Sequence, residues 1–389
     1  MLRAFPLLLT ACGLTGCFIE PRPVSELLDS GSPPRVRGFD TGLEDGLAAA
    51  ELTDVLAADV GATDLGSDDR AATGVVSLAG SACLKRPAKQ ITVVPAGTHT
   101  NAYLVKGGTH QTHDLRGTFF KANPPKFPVS FNAPVDDVCV VGASVQGTQP
   151  RSWTWDQMKH GDNQKYDGDG IGWSHPVGPM IIEGAWIDNV EDALGPPKSP
   201  ETSRSASWIV RHVYARYIRD DFMENDACLN GEMYDTLVDG THMFLSVRPG
   251  KNNTVKTGTT PVIKIRDTMV RLDCKPDDRS DTSCGPGASL GQLFKWTTAC
   301  NPPPVVDIAD TIFRVDDISR NGAGPMAFPP GTYKNVTLIY LGQGSYPGKL
   351  PASGVTETKD VALWDAARAR WLQRHGCDAK GESCTFLKP

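Results

Sequence analysis

Seven stretches decide the fold: Cys139-Val-Val-Gly-Ala-Ser-Val-Gln-Gly147, Ile181-Ile-Glu-Gly-Ala-Trp-Ile-Asp-Asn189, Ile209-Val-Arg-His-Val-Tyr-Ala-Arg-Tyr217, Glu232-Met-Tyr-Asp-Thr-Leu-Val-Asp-Gly240, Lys264-Ile-Arg-Asp-Thr-Met-Val-Arg-Leu272, Asp307-Ile-Ala-Asp-Thr-Ile-Phe-Arg-Val315 and Thr332-Tyr-Lys-Asn-Val-Thr-Leu-Ile-Tyr340. Apolar residues fall two apart in each, the period of a strand with one buried face. Laid beneath one another, the stretches form columns. One column reads Gly142, Gly184, His212, Asp235, Asp267, Asp310, Asn335. Gly, Asp and Asn tolerate the left-handed backbone of a bend. Three positions on stand Val145, Ile187, Ala215, Val238, Val270, Phe313 and Leu338, an inward stack. Four positions on stand Gln146, Asp188, Arg216, Asp239, Arg271, Arg314 and Ile339, mostly charged and outward.

The units follow one another at 42, 28, 23, 32, 43 and 25 residues. A propeller blade or leucine-rich repeat would hold its period better; stacked strands with variable loops fit. The columns over 130–345 resemble the right-handed parallel β-helix of pectate-lyase-like proteins. The fold class expected is therefore all-β, a right-handed parallel β-helix with a short C-terminal helix. A β-sandwich of the same strands stays open. Val75–Leu78, Ile91–Val94 and Ala102–Val105 are expected to supply the first coils or an N-terminal cap. Asp360–His375 has helical periodicity and is expected to cover the end of the stack.

Thirty-nine Gly and 30 Pro argue against a helical bundle. The net charge of −6 is no footprint for nucleic acid. Ahead of the body, Met1-Leu2-Arg3, an apolar run and Leu14-Thr15-Gly16-Cys17 read as a short signal peptide over 1–16. The last four residues resemble the bacterial lipobox, whose Cys becomes the lipidated first residue; Leu9-Thr10-Ala11-Cys12 fits the same pattern behind a shorter apolar stretch. Phe18 after the Cys implies, by resemblance to Gram-negative lipoproteins, sorting to the outer membrane. Residues 17–72 read as an acidic tether. Within 18–72 stand twelve acids against four arginines, −8 net. Such a composition buries too little apolar area to offset ordering entropy, although a short amphipathic helix over Leu43–Leu56 is an alternative. It resembles the Asp/Ala/Gly-rich stalks of myxobacterial surface lipoproteins. The body then spans 73–350 and a C-terminal cap 351–389. Eight cysteines remain beyond Cys17, an even number without CxxC, which suits disulfides of an exported domain. Cys377–Cys384 is the first pair expected and Cys274–Cys284 the next, with Cys300 as its competitor.

Three places attract chemistry. In a β-helix each coil rises by about 4.8 Å, so Asp188, Arg216, Asp239 and Arg271 line up along a face. The resemblance implies a groove in which a basic residue such as Arg216 or Arg271 takes a proton beside a uronate carboxylate. Asp188 and Asp239, two coils apart, approach the separation of an inverting glycosidase pair. The plain alternative is mutual salt bridging on neighbouring strands. Asp220, Asp221 and Glu224 are denser, are placed in a loop by their sequence context, and invite Ca2+ because crowded carboxylates repel; Arg216, Arg219 and Arg248 are alternative partners. His242 adds a titrating group. The long connection 148–180 carries Trp153, Trp155 and Trp173, suited to stacking on sugar rings or to burial. The catalytic candidates are therefore Asp220, Asp221, Arg216, Asp239 and His242. The substrate-binding candidates are Trp153, Trp155, Trp173, Asp188 and Arg271.

No Walker loop, HExxH, G-x-S-x-G or dinucleotide fingerprint occurs. The expected function is a surface-anchored lipoprotein that binds or cleaves polysaccharide or envelope glycan, as a lyase or glycoside hydrolase if catalytic. Its contact with membrane is expected through the lipid anchor only. A non-catalytic structural or adhesin module is the alternative. Cys17→Ala should leave the precursor unlipidated and remove the protein from the membrane fraction; a variant that still enters the detergent phase would rule out the lipobox.

Overall fold

In the computed structural model every member of the bend column has left-handed backbone: Gly142 at φ 79°, Gly184 at 72°, His212 at 54°, Asp235 and Asp267 at 47°, Asp310 and Asn335 at 51°. The residues described are 78–388, without 88–89, 123–126, 133, 161–167, 196–204, 250–254, 278–283, 285–287, 298 and 317–326. The stretches expected to be a signal peptide and an acidic tether, with Cys17, lie outside them. At each bend the chain leaves one parallel sheet and enters a second.

The first sheet stacks Ile91–Val93, Gly108–Asp114, the opening halves of Val135–Gly147, Pro179–Asp188 and Ser207–Glu224, then Asn230–Tyr234, Val262–Arg266, Val305–Ala309 and Gly331–Lys334. The second stacks Gly97–His99, Thr118–Ala122, the halves beyond the bend, Met269–Leu272, Ile312–Val315, Val336–Tyr340 and Val355–Thr358. A third holds Tyr103–Val105, Val129–Phe131, Ile171–Trp173, Leu194–Gly195, the ends of Ser207–Glu224 and Leu237–Val247, and Phe294–Trp296. The three sheets wind as a parallel β-helix. Among the described strands the one antiparallel pairing is Lys275–Pro276 with Ala288–Ser289. That pattern excludes the sandwich.

The register follows the sequence columns. Val145 stands opposite Ile187, Ile187 opposite Ala215, Ala215 opposite Val238, Val238 opposite Val270, Val270 opposite Phe313 and Phe313 opposite Leu338. All seven are fully buried. Because side chains alternate faces, the neighbouring column must point out. Toward the C-terminal coils the interior fills with aromatic rings: Phe244 and Phe294 meet Phe313, and Phe328 lies against both Phe294 and Phe313.

The C-terminal helix, Val361–Arg374, starts on Asp360, whose side chain accepts a hydrogen bond from the Ala362 N–H. It lies along the flank of the stack, not over its end as the sequence suggested. The reason is a second outward column, two positions after the bend: Trp186, Tyr214, Leu237, Met269 and Ile312. An apolar column facing out must be covered. Trp364, Ala367, Trp371 and Leu372 of the helix, with Phe386 and Leu387 behind it, form a separate buried cluster on that column. Leu78 and Cys83 join the same cluster from the N-terminal side. There Leu78 crosses Gly184 so closely that a Cβ would lie 2.4 Å from its Cδ1. The Trp186 indole N–H donates to the Gly381 carbonyl at 2.8 Å.

All eight body cysteines pair: Cys83–Cys139, Cys228–Cys300, Cys274–Cys284 and Cys377–Cys384. Cys300 thus belongs to Cys228 and does not compete for Cys274. Among the described residues no helix is long and apolar enough to cross a membrane.

The bend column predicts a difference between two substitutions at Asp310. Ala in left-handed backbone costs about 1 kcal/mol or more relative to Gly, which has no Cβ to clash. Asp310→Ala and Asp310→Gly lose the same side-chain contacts. Chemical denaturation should therefore find Asp310→Gly the more stable by about 1 kcal/mol. Equal stabilities would mean that the bend is not left-handed.

Candidate functional site

The charged outward column is in register from Gln146 through Asp188, Arg216, Asp239, Arg271 and Arg314 to Ile339. Opposite charges on neighbouring coils engage one another. Asp188 is fully buried. Its Oδ1 accepts from Arg151 at 2.6 Å, and its Oδ2 from Arg216 and Gln146, each at 3.2 Å. Asp239 accepts from Arg271 Nε at 3.1 Å and from Arg368 Nε of the C-terminal helix at 2.5 Å. Arg314 reaches Asp365 of the same helix at 3.9 Å. Arg216, Asp239, Asp188 and Arg271 are therefore brought together as foreseen, but as an ion-paired zipper beside the docked helix.

Asp220, Asp221 and Glu224 belong to the strand Ser207–Glu224, which runs without a break from the first sheet into the third. The loop expected there does not exist. Pairing with Leu237–Val247 shifts register between Ile218 and Asp221. Such a bulge re-aims side chains. It brings Asp220 and Asp221 beside Asp192 of the preceding coil, with one carboxylate oxygen from each lying within 4.8 Å of the others. The backbone locks this arrangement. The Asp221 N–H donates to Asp192 Oδ1 at 3.0 Å, the Asp220 N–H to the Glu191 carbonyl at 2.9 Å, and the Asp192 N–H to Asp169 Oδ1 at 3.3 Å.

Lys295, from the third sheet two coils beyond, donates to Asp221 Oδ2 at 3.0 Å. None of the three arginines anticipated as partners takes that place. Arg216 holds Asp188, while Arg219 donates to the carbonyls of Pro150 and Trp153 and so pins the 148–160 segment. Arg248 donates its backbone N–H to Asp226 at 2.8 Å.

Asp221 is almost wholly buried, and its Oδ1 has no hydrogen-bond partner. Burial, then the neighbouring Asp220, push its carboxyl up to about 8 against the pull of Lys295. Burial, then Glu224 and Asp169, raise Asp192 well above the usual range. Burial works against the Lys295 ammonium, but Asp221 and Asp220 outweigh it and hold that group above its ordinary value. Crowded carboxylates in low dielectric must share a proton or a cation. Three of them at this spacing are hard oxygen donors of the kind that calcium takes.

His242 and Trp153 meet in a neighbouring small cleft with Met158, Arg219, Lys275 and Asp277. Lys275 donates to Asp273 at 3.1 Å and stands 3.9 Å from the Tyr217 ring centre. Burial pulls its ammonium down to about 8. Trp173 lies in the interior, opposite Phe131. Trp155 opens the short helix Trp155–His160, and its side chain lies outside the described residues.

Asp192, Lys295 and Lys275 were not singled out in the sequence, whereas Asp169 stands in Asp167-Gly-Asp169-Gly, half of a calcium-loop pattern. One signal was available for Asp192. It stands four residues after Asp188 as Asp220 stands four after Arg216, so carrying the repeat alignment four positions further pairs the two. A second bend column supports that extension: Asn189 at φ 57°, Tyr217 at 52° and Gly240 at 108° lead from the second sheet to the third. Lys295 follows a long connection and has no such marker.

The raised Asp221 carboxyl sets the sign of a pH dependence. The unfolded chain releases that proton near 3.8, whereas the fold keeps it to about 8. Between those values the folded form binds more protons, so rising pH favours unfolding. Denaturation in a chelator should show stability falling from pH 5 to pH 8, with a shallower slope in Asp221→Asn; an identical slope in both would remove Asp221 as the cause. No protein-family model, curated protein or solved structure matches this chain, so the reading of the site rests on its own geometry.

Proposed function

We propose that the third face of the β-helix binds Ca2+ through Asp192, Asp220, Asp221 and Glu224, and through that ion an acidic polysaccharide. The observation that carries this reading is the convergence of three carboxylate oxygens within 4.8 Å. Calcium–oxygen distances of about 2.3–2.6 Å place two ligands of one ion up to roughly 5 Å apart. The donor set is all oxygen, which suits a hard cation. An ion there would relieve the repulsion that raises Asp192 and Asp221, and its open positions would take a uronate carboxylate. Lys295, at the rim, adds a positive group for the same anion. Four disulfides support an exported protein, in keeping with the lipid anchor proposed at Cys17 and a place at the outer membrane or cell surface.

Binding is favoured over cleavage at this cluster. Lys295 donates to Asp221 and sits within the field of the whole group, Asp220 and Asp192 included, which keeps it an ammonium, so it is no base at neutral pH. A second reading, a polysaccharide lyase, would use Lys275, whose ammonium burial pulls down to about 8; its side chain is almost wholly buried in the small adjoining cleft, so that cleft would have to open for a sugar to reach it. Elimination would move a proton from the carbon beside the uronate carboxylate to such a base, break the bond to the leaving glycosidic oxygen and leave an unsaturated sugar. The proton that this oxygen needs would come from solvent.

Thermal melts of the full chain in chelator and in millimolar Ca2+ test the site. The midpoint should rise by several degrees with calcium, as binding to the folded form alone requires, and not in Asp221→Asn. Retention on immobilised polyuronate should likewise need calcium. A midpoint indifferent to calcium in the wild type would end this reading. Ultraviolet absorbance of unsaturated product at pH 8 separates the lyase from the binding module.

A further inference from the structure

His212 is the one imidazole in the first bend column, and nothing in the polysaccharide reading uses it. Its Nδ1 lies 2.7 Å from Oδ2 of Asp235, the bend residue of the next coil. Nε2 of His375, at the end of the C-terminal helix, lies 3.0 Å from the same oxygen. The three atoms fall within 4.8 Å of one another. His375 is fully buried, and the Trp371 ring stacks on it at 3.7 Å between centres. Its Nδ1 stands 2.9 Å from the Trp371 carbonyl. A carbonyl only accepts, so Nδ1 carries a hydrogen, and in the neutral ring the Nε2 lone pair then faces the Asp235 carboxylate. Two acceptors at that distance repel unless positive charge sits between them.

We propose that His212 Nδ1, Asp235 Oδ2 and His375 Nε2 form a site for a divalent transition ion of the zinc class. Two imidazoles and a carboxylate are that ion's ordinary donors. The surroundings match those of a ligand set. The second nitrogen of His375 donates to a backbone carbonyl, which fixes the tautomer, and the other oxygen of Asp235 accepts from Arg374. His212, at 15% side-chain exposure, leaves an approach for the ion and for a water on its open position. The ion would clasp the C-terminal helix to two successive coils, next to the Cys377–Cys384 bridge. It differs in chemistry and place from the calcium cluster.

His212→Asn is the discriminating variant. Asn accepts left-handed backbone and can still donate to Asp235, so the bend and hydrogen bond survive while the imidazole ligand is lost. The full chain, stripped with chelator, should take up one equivalent of Co2+ with visible bands that Zn2+ displaces. Its melting midpoint should rise by several degrees in excess Zn2+. His212→Asn should match the metal-free midpoint of the wild type, show no rise with Zn2+ and bind Co2+ at least tenfold more weakly. Absence of Co2+ bands in the wild type overturns the site, whether or not the variant folds. Equal Zn2+ shifts in both proteins overturn it too. A wild-type midpoint that ignores Zn2+ overturns it as well.

Discussion

A left-handed residue at the same corner of successive coils is the constraint on which the rest depends. A strand pair can be continued around a corner only if the backbone there leaves the extended region, and an L-residue with a large side chain resists doing so by about 1–2 kcal/mol. Gly142, Gly184, Asp235, Asp267, Asp310 and Asn335 meet this requirement with the residue types that resist least. Once the corner is placed, side-chain alternation assigns every neighbour a face. A slip of one residue would bring Asp239 into the interior and expel Val238.

The same count from the corner organises the flank. Two residues on, side chains point out and are apolar; four residues on, they point out and are charged. The C-terminal helix answers both columns, with Trp364, Trp371 and Leu372 on the apolar one and Arg368 on Asp239. Removing one partner of such a half-buried pair leaves the other desolvated, so these pairs favour one position of the helix more than they add net stability. Arg374 and His375 repeat the arrangement at Asp235. The N-terminal Leu78 and the Cys83–Cys139 bridge complete the cover.

The third face is built differently. Asp169, Asp192, Asp220, Asp221 and Glu224 crowd together, with Lys295 on Asp221, and backbone hydrogen bonds tie Asp221 to Asp192 and Asp192 to Asp169. A chain selected for stability alone would place fewer carboxylates in so little water. Local departures of this kind are where function is sought, because the cost is kept for a reason that the free fold does not show.

The repeated columns were legible because they depend on local rules: alternation along a strand and the tolerance of Gly, Asp and Asn for one backbone region. They were enough to predict the coils, the inward stack and the outward charged line, while the Cys377–Cys384 pair followed from the small loop that it closes. His212 was visible in the sequence as the intruder in the bend column, but its company was not, since His375 arrives from 163 positions away. The acidic strand read as a loop because its bulge breaks the alternation that marks a strand. The helix read as an end cap because its periodicity shows that it has a buried face and not what lies beneath it. Which coils are neighbours, how far a loop of variable length carries the chain, and so which of Arg216, Arg219, Arg248 and Lys295 reaches Asp221, were decided by stacking alone. Those contacts form between residues tens of positions apart, and no local preference encodes them.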